Sequence, residues 1–222
     1  MRGRFITFEG GEGTGKSTQA AMLAERLETF GLNVVLTREP GGSPGAEAVR
    51  HVVLSGAAQP LGSHAEAILF AAARDDHVRQ LIRPALDDGR WVVCDRFADS
   101  TRIYQGVLGN IDPRVIKALE RVAVGDTQPE LTCILDLPPA LGLTRAAKRR
   151  GHTIADRFEA ETLGFHNKLR EAYRELAERE PDRCVLFDAT KDAQTVANAI
   201  WAVVNRRLDP ASAPLVIAGA RS

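Results

Sequence analysis

The chain has 222 residues, 44% of them hydrophobic and 26% charged, and its 29 basic residues are cancelled by 29 acidic ones. That size supports one well-buried α/β core, and the composition is far from the apolar-poor, highly charged profile of disorder. Zero net charge removes any global electrostatic case for gripping nucleic acid or a membrane, so neither partner is expected and any anion must be held locally.

Residues 4–9 (RFITFE) form a β-rich run that ends on glycines. Residues 17–30 then repeat apolar side chains at helical spacing, Ala20, Leu23, Ala24 and Leu27, with Gly31 as the stop. Residues 33–37 (NVVLT) make a second strand, and the crossover helix between the two dictates parallel pairing. Apolar runs at 91–94 (WVVC), 131–137 (LTCILDL) and 184–187 (CVLF) complete five strands of the kind buried on both faces. Helices are predicted over 45–55, 64–87, 113–125, 139–149, 159–180 and 192–208. The alternation predicts an α/β fold, a three-layer α/β/α sandwich around a five-stranded parallel sheet. One domain is expected over residues 1–208, followed by an Ala- and Pro-rich tail, 209–222, expected to be poorly ordered.

Cys94, Cys133 and Cys184 each sit inside an apolar run and not at CxxC spacing, which argues against zinc and against a disulfide framework. They read as small buried residues in a reducing compartment. With no 18-residue apolar stretch and no secretory signal, the chain is expected to be cytoplasmic.

Residues 10–17 read GGEGTGKS and match GxxxxGKS/T in full, directly after a strand and before a helix. This is the signature of a P-loop NTPase fold. Gly10, Gly11, Gly13 and Gly15 let successive backbone N–H groups turn inward around phosphate oxygens, with Glu12, Thr14 and Thr18 completing the triphosphate cradle. Lys16 is expected to bridge the β- and γ-phosphates, and Ser17 to offer a hydroxyl to Mg²⁺. A switch GTPase needs DxxG and NKxD segments, and the chain has neither, which leaves small-molecule kinases and nucleotide-binding modules.

Four further segments bear on that choice: TREPGG at 37–42, FAAAR at 70–74, DRF at 95–97 and DRFE at 156–159. Phe70 and Arg74, four apart on a helix, share a face where an aromatic plate and a guanidinium could bracket a planar base; spacing alone equally fits a core Phe beside a surface Arg. Asp95 ends an apolar strand, where a carboxylate reaches Mg²⁺, and Arg96 beside it could hold an acceptor phosphate; a salt-bridged helix cap fits the same spacing. Glu12 puts an acidic group in an anion-binding loop, unfavourable unless a cation or hydroxyl faces it, or else it is a solvated loop tip. Lys148, Arg149 and Arg150, followed by Gly151 and then Arg157, look like a basic lid over 148–159 between two helices, although a basic helix end also simply complements the helix dipole.

Taken in order, these segments resemble the bacterial thymidylate kinases, a P-loop nucleoside monophosphate kinase family, over residues 4–208. The resemblance implies an enzyme that phosphorylates dTMP to dTDP with ATP and Mg²⁺, as a homodimer. It further implies that Phe70 stacks on thymine and Arg74 hydrogen-bonds its edge, that Arg50 contacts the monophosphate, and that Ser100, Thr101 and Gln105 contact base and sugar. Glu12 then faces the sugar's 3'-hydroxyl. Gly13 stands where the eukaryotic-type enzymes carry an arginine, so the transition-state arginine is expected from the lid, with Arg149, Arg150 and Arg157 as candidates. Another P-loop nucleoside or nucleotide kinase, or a non-catalytic nucleotide-binding regulator, remains as a rival reading.

Overall fold

The computed structural model describes residues 2–151 and 157–212. Five strands, β1 (Phe5–Gly10), β2 (Val34–Arg38), β3 (Trp91–Asp95), β4 (Leu131–Asp136) and β5 (Cys184–Asp188), form one parallel sheet in the order β2-β3-β1-β4-β5. All four pairings are parallel, and each predicted strand is found with ends displaced by a residue or so. β1 lies at the centre and is buried along its whole length, as a continuous apolar run flanked by helices on both faces must be.

The alternation of β1 side chains sorts the two faces. Ile6 and Phe8 enter a core with Leu23 and Leu27 of α1 (Lys16–Thr29) and Val196, Ile200 and Val204 of α9 (Ala193–Leu208). Phe5 points the other way, into a core with Val78, Ile82, Leu86 and Phe97. Each fully buried Phe, Leu or Ile of this kind contributes roughly 1.5–3 kcal/mol over the exposed state. A third cluster joins Ile134 of β4 to Leu169, Tyr173 and Leu176 of α8 (Leu163–Arg179). The remaining helices are α2 (Pro44–Leu54), α3 (Gly62–His77), α4 (Arg83–Asp87), α5 (Ala98–Thr101), α6 (Pro113–Ala123) and α7 (Pro139–Arg150).

Three expectations need correction. The helix predicted over 64–87 is α3, a π-helical turn Val78–Ile82 and α4, because Pro84 lacks the N–H that an unbroken α-ladder requires. The helix predicted from residue 159 starts at Leu163; Thr162 caps it by accepting from the Phe165 N–H at 3.2 Å, and residues 157–160 form turns. A helical segment absent from the prediction, α5 running into a π-helical stretch Arg102–Leu108, follows β3. Of the predicted lid, residues 152–156 lie outside the described residues, as do 213–222 of the tail.

All three cysteines are buried and free, and burial raises the pKa of each thiol, as expected for packing residues. Among the described residues no helix is long and apolar enough to cross a membrane.

Candidate active site

The phosphate loop leaves β1 at Gly10 and enters α1 at Lys16. Gly10, Gly13 and Gly15 have φ of 134°, 66° and 94°, conformations that a side chain at those positions would strain. Lys16 is buried and donates its Nζ to the Gly11 carbonyl at 2.7 Å. Burial lowers its pKa to about 8, helped by the nearby Arg96 charge and opposed by Glu12, Asp95 and Glu9. The loop also backs onto α7. A Cβ at Gly13 would lie 1.9 Å from the Gly142 carbonyl oxygen, and one at Gly142 would lie 2.3 Å from that of Glu12.

β3 runs beside β1 and delivers Asp95 to the loop, where Ser17 Oγ donates to Asp95 Oδ2 at 2.5 Å. Among the described residues, Asp95 Oδ1 is buried and accepts no hydrogen bond. The next residue, Arg96, has φ 69°, a left-handed conformation costly for a non-glycine residue and found where surrounding bonds over-determine it. Its N–H donates to Phe8 O at 2.9 Å, and the following turn is tied to Glu9. Glu9 Oε1 accepts from the N–H groups of Phe97 and Ser100 at 2.8 and 3.1 Å, and Oε2 accepts from Ser100 Oγ and Tyr173 OH, both at 2.7 Å. Burial, reinforced by Asp99, raises the Glu9 carboxyl pKa.

So fixed, the Arg96 guanidinium reaches Glu12 at 2.5 Å, and Tyr104 OH donates to the same Glu12 oxygen at 3.1 Å. Burial alone would raise the Glu12 carboxyl, but Arg96, Lys16 and Tyr104 outweigh it and bring its pKa to about 2. Glu12 is therefore an ion-paired carboxylate, not a solvated loop tip, and Asp95 and Arg96 do not pair with each other.

One cavity of about 210 Å³ collects most of the predicted side chains. Glu12, Gly13, Gly15, Lys16 and Ser17 of the loop line it together with Arg50, Phe70, Arg74, Asp95, Arg96, Ser100, Thr101, Gln105 and Arg149. Gly10, Gly11 and Thr14 face a small pocket behind the loop instead. Thr18, the third residue of α1, lines neither cavity and is exposed.

Several of these side chains are held by the protein. Arg50 Nη1 donates to Pro40 O at 2.7 Å. Ser100 Oγ is engaged by Glu9. Arg74 is 4% exposed and donates to Glu39 Oε2 at 2.7 Å, Thr101 Oγ1 at 3.1 Å and Phe97 O at 3.1 Å. The bland reading of Arg74 as a surface residue is thus overturned. Phe70 is half-buried, its ring 6.1 Å from that of Phe158.

The lid arginines separate. Arg149 lines the cavity, 64% exposed, with Nη2 3.3 Å from Glu159 Oε1. Arg150 pairs with the other Glu159 oxygen at 2.6 Å. Arg157 pairs with the buried Glu66 of α3 at 2.8 Å and with Glu161 at 3.0 Å, its guanidinium 4.6 Å from the Phe158 ring, and it lines a different cleft against α2. Cavity residues not singled out from sequence include Glu39, Tyr104 and Phe158. Glu39 and Phe158 lie inside the TREPGG and DRFE segments, the one signal that pointed at them, while Tyr104 sits in the unpredicted π-helical stretch.

A family model described as thymidylate kinase matches residues 8–200. The chain belongs to the thymidylate kinase family. A thymidylate kinase from Nitrobacter hamburgensis is 61% identical over 208 residues, covering 94% of this chain and 90% of that one. One from Bradyrhizobium diazoefficiens is 60% identical over 215 residues, covering 97% and 94%. The crystal structure of thymidylate kinase from Ehrlichia chaffeensis superposes with a TM-score of 0.73 at 34% identity, covering 92% of this chain and 99% of that chain. Family membership makes the chain an ATP-dependent nucleoside monophosphate kinase of α/β, P-loop fold, which accounts for phosphate-loop residues and an aromatic–guanidinium pair lining the same cavity.

Proposed function

We propose that the chain transfers the γ-phosphoryl group of ATP to dTMP, giving dTDP and ADP by direct in-line displacement with no covalent enzyme intermediate. The observation that carries this reading is the single cavity lined both by the phosphate loop and by Phe70 and Arg74. Thymine stacks on Phe70 with its carbonyl edge toward Arg74, Thr101 and Gln105, and the sugar hydroxyl meets Glu12. Arg50 and Arg96 hold the acceptor phosphate, which is largely dianionic at neutral pH and needs no general base.

Gly10, Gly11, Gly13, Thr14, Gly15 and Thr18 cradle the donor phosphates with Lys16. Arg149 compensates the charge that spreads over the equatorial oxygens in the transition state. Mg²⁺ fits the donor set: among the described residues the buried Asp95 Oδ1 has no hydrogen-bond partner, and Ser17 stands beside the other oxygen. Among the described residues no group of three His, Cys, Asp or Glu could hold an ion unaided, which suits an ion that arrives on the nucleotide. Ser17 and Asp95 would hold it, and when bound it would supply positive charge against the phosphates.

The same reading carries a cytoplasmic enzyme and a homodimer. The exposed Ile68 of α3 and Val115 and Val122 of α6, on helices that pack against each other, suit a subunit contact, and light scattering of the purified chain tests it. The activity is tested by incubating the protein with ATP, Mg²⁺ and a panel of monophosphates while following ADP. Preference for dTMP over dUMP, dCMP and AMP is expected; turnover of thymidine but not dTMP would overturn the reading.

A further inference from the structure

His77 closes α3 and is completely inaccessible to solvent. Its Nδ1 lies 3.1 Å from Glu39 Oε1 and its Nε2 lies 2.8 Å from Thr37 Oγ1, so both ring nitrogens are engaged. Glu39 Oε2 is the acceptor for Arg74 Nε at 2.7 Å. A buried chain therefore runs from Thr37 through His77 and Glu39 to Arg74. His77 and Arg74 lie three apart on one helix face, and Glu39, from the turn after β2, bridges them.

This arrangement is a poor way to gain stability. Burying a carboxylate between a guanidinium and an imidazole carries a desolvation cost that a well-packed apolar trio would avoid. It is a good way to set an angle. Of the five N–H donors of a guanidinium, three of Arg74 are committed to Glu39, Thr101 and Phe97, leaving two, and Arg74 is part of the cavity wall. A planar fork with its Nε and both terminal nitrogens tied can present those two donors in only one orientation. The carboxylate that fixes Nε is itself fixed only if its second oxygen is held, and His77 holds it.

Gly42 corroborates the arrangement. A Cβ there would lie 2.4 Å from His77 Nε2 and 2.5 Å from Thr37 Oγ1, so the second glycine of TREPGG leaves room for the imidazole. Ser43 Oγ and Gly45 N, which follow, donate to Asp76 Oδ2 at 2.7 and 3.0 Å and tie the same turn to the residue before His77.

We infer that His77 is a positioning residue for acceptor-base recognition, acting through Glu39 to aim the free donors of Arg74 at a carbonyl edge of a pyrimidine. This rests on the reading of the cavity as the acceptor site. Arg74 offers only donors, so a correctly aimed guanidinium favours thymine, which presents a carbonyl oxygen at ring position 4, over cytosine, which presents an amino group there.

The test compares His77→Phe, which keeps an aromatic ring, though a larger one, and leaves Glu39 Oε1 without its partner, with His77→Asn, whose amide nitrogen can stand in for Nδ1. Folded protein is confirmed by circular dichroism, and KM is measured separately for dTMP and ATP. His77→Phe is expected to raise the dTMP KM about tenfold and to lower the dTMP:dCMP ratio of kcat/KM by a similar factor, with the ATP KM changed less than about twofold. His77→Asn is expected to recover most of both losses. A folded His77→Phe enzyme with unchanged dTMP KM and ratio overturns the inference, as does an equal loss on dTMP and ATP. If His77→Phe does not fold, His77→Asn decides: the dTMP KM within about threefold of the parent and the ratio retained support the inference, and a collapse of the ratio overturns it. A parent chain that does not prefer dTMP over dCMP would instead defeat the acceptor reading itself.

Discussion

Gly13 lies against Gly142: a Cβ on Gly13 would strike the Gly142 carbonyl oxygen, and one on Gly142 would strike the carbonyl oxygen of Glu12. The contact pins the first turn of α7 to the phosphate loop, and the last turn of the same helix carries Arg149 and Arg150. The phosphate loop thus touches one end of α7, and Arg149 and Arg150 sit at the other. Gly13→Ala forces a side chain against the Gly142 carbonyl in a left-handed backbone, at a cost of about 2 kcal/mol. The Tm is expected to fall by about 4–8 °C in a chain this long, with kcat lowered. Full activity at unchanged Tm would show that the contact does not constrain the loop.

Lys16 makes a pH prediction whose sign is fixed. Its free-state pKa is lowered to about 8, so above that pH much of the population is neutral, and binding a triphosphate must take up a proton. The ATP KM is expected to be flat from pH 7 to 7.5 and to rise toward about tenfold per unit above pH 8. Glu12 is one of the groups holding the Lys16 proton, so Glu12→Gln should move the onset to lower pH. Lys16→Met is expected to abolish turnover without lowering Tm, because a desolvated cation is removed from a buried place. A flat KM profile to pH 9.5 counts against the assignment.

Glu12 is held near a pKa of about 2 against an ordinary 4.5. A depressed carboxylate contributes stability that is present above its unfolded pKa and lost as pH falls through the folded one. The contribution, about 3 kcal/mol by order of magnitude, should be complete above pH 4.5 and vanish toward pH 2. Glu9, whose pKa is raised, works in the opposite direction, so the comparison to make is parent against Glu12→Gln. Their Tm difference is expected to be largest near neutrality and to shrink below pH 4.5. Glu12→Gln is also expected to raise the acceptor KM; unchanged KM and kcat would return Glu12 to a structural part.

The lid arginines are expected to behave differently. Arg149→Ala, at the cavity, should lower kcat by about 10³-fold or more if it compensates transition-state charge. Arg157→Ala should lower kcat by less than about tenfold and reduce Tm, since it strands the buried Glu66 without its cation. The reverse ranking from single-turnover kinetics would exchange the two roles.

The phosphate loop was legible because its function depends on backbone geometry that glycine spacing encodes directly, and the strands because their apolar runs are bounded by turns. Asp95 was legible as a strand end. What stayed hidden were relationships between distant positions. Glu39 and His77 are 38 apart in sequence, and nothing local marks a carboxylate that will be buried between two helix residues. The α5 segment and its π-helical continuation were missed because π-turns have no simple apolar period, and with them went Tyr104. Glu9 stood unmarked within the 4–9 run, because its partners, the Phe97 and Ser100 N–H groups, come alongside only when β3 pairs with β1.

The hydrogen bond from Lys16 to the Gly11 carbonyl gives nucleotide traffic a particular character. The ammonium has three N–H donors and one already has an acceptor within its own loop, so a phosphate meets a cation whose direction is set, with further donors to offer. Arrival adds partners to an anchored side chain, and as the spent nucleotide leaves the Gly11 carbonyl still holds that side chain in place. The loop keeps its own cation ready, a favourable property in a catalyst that must release ADP in every cycle.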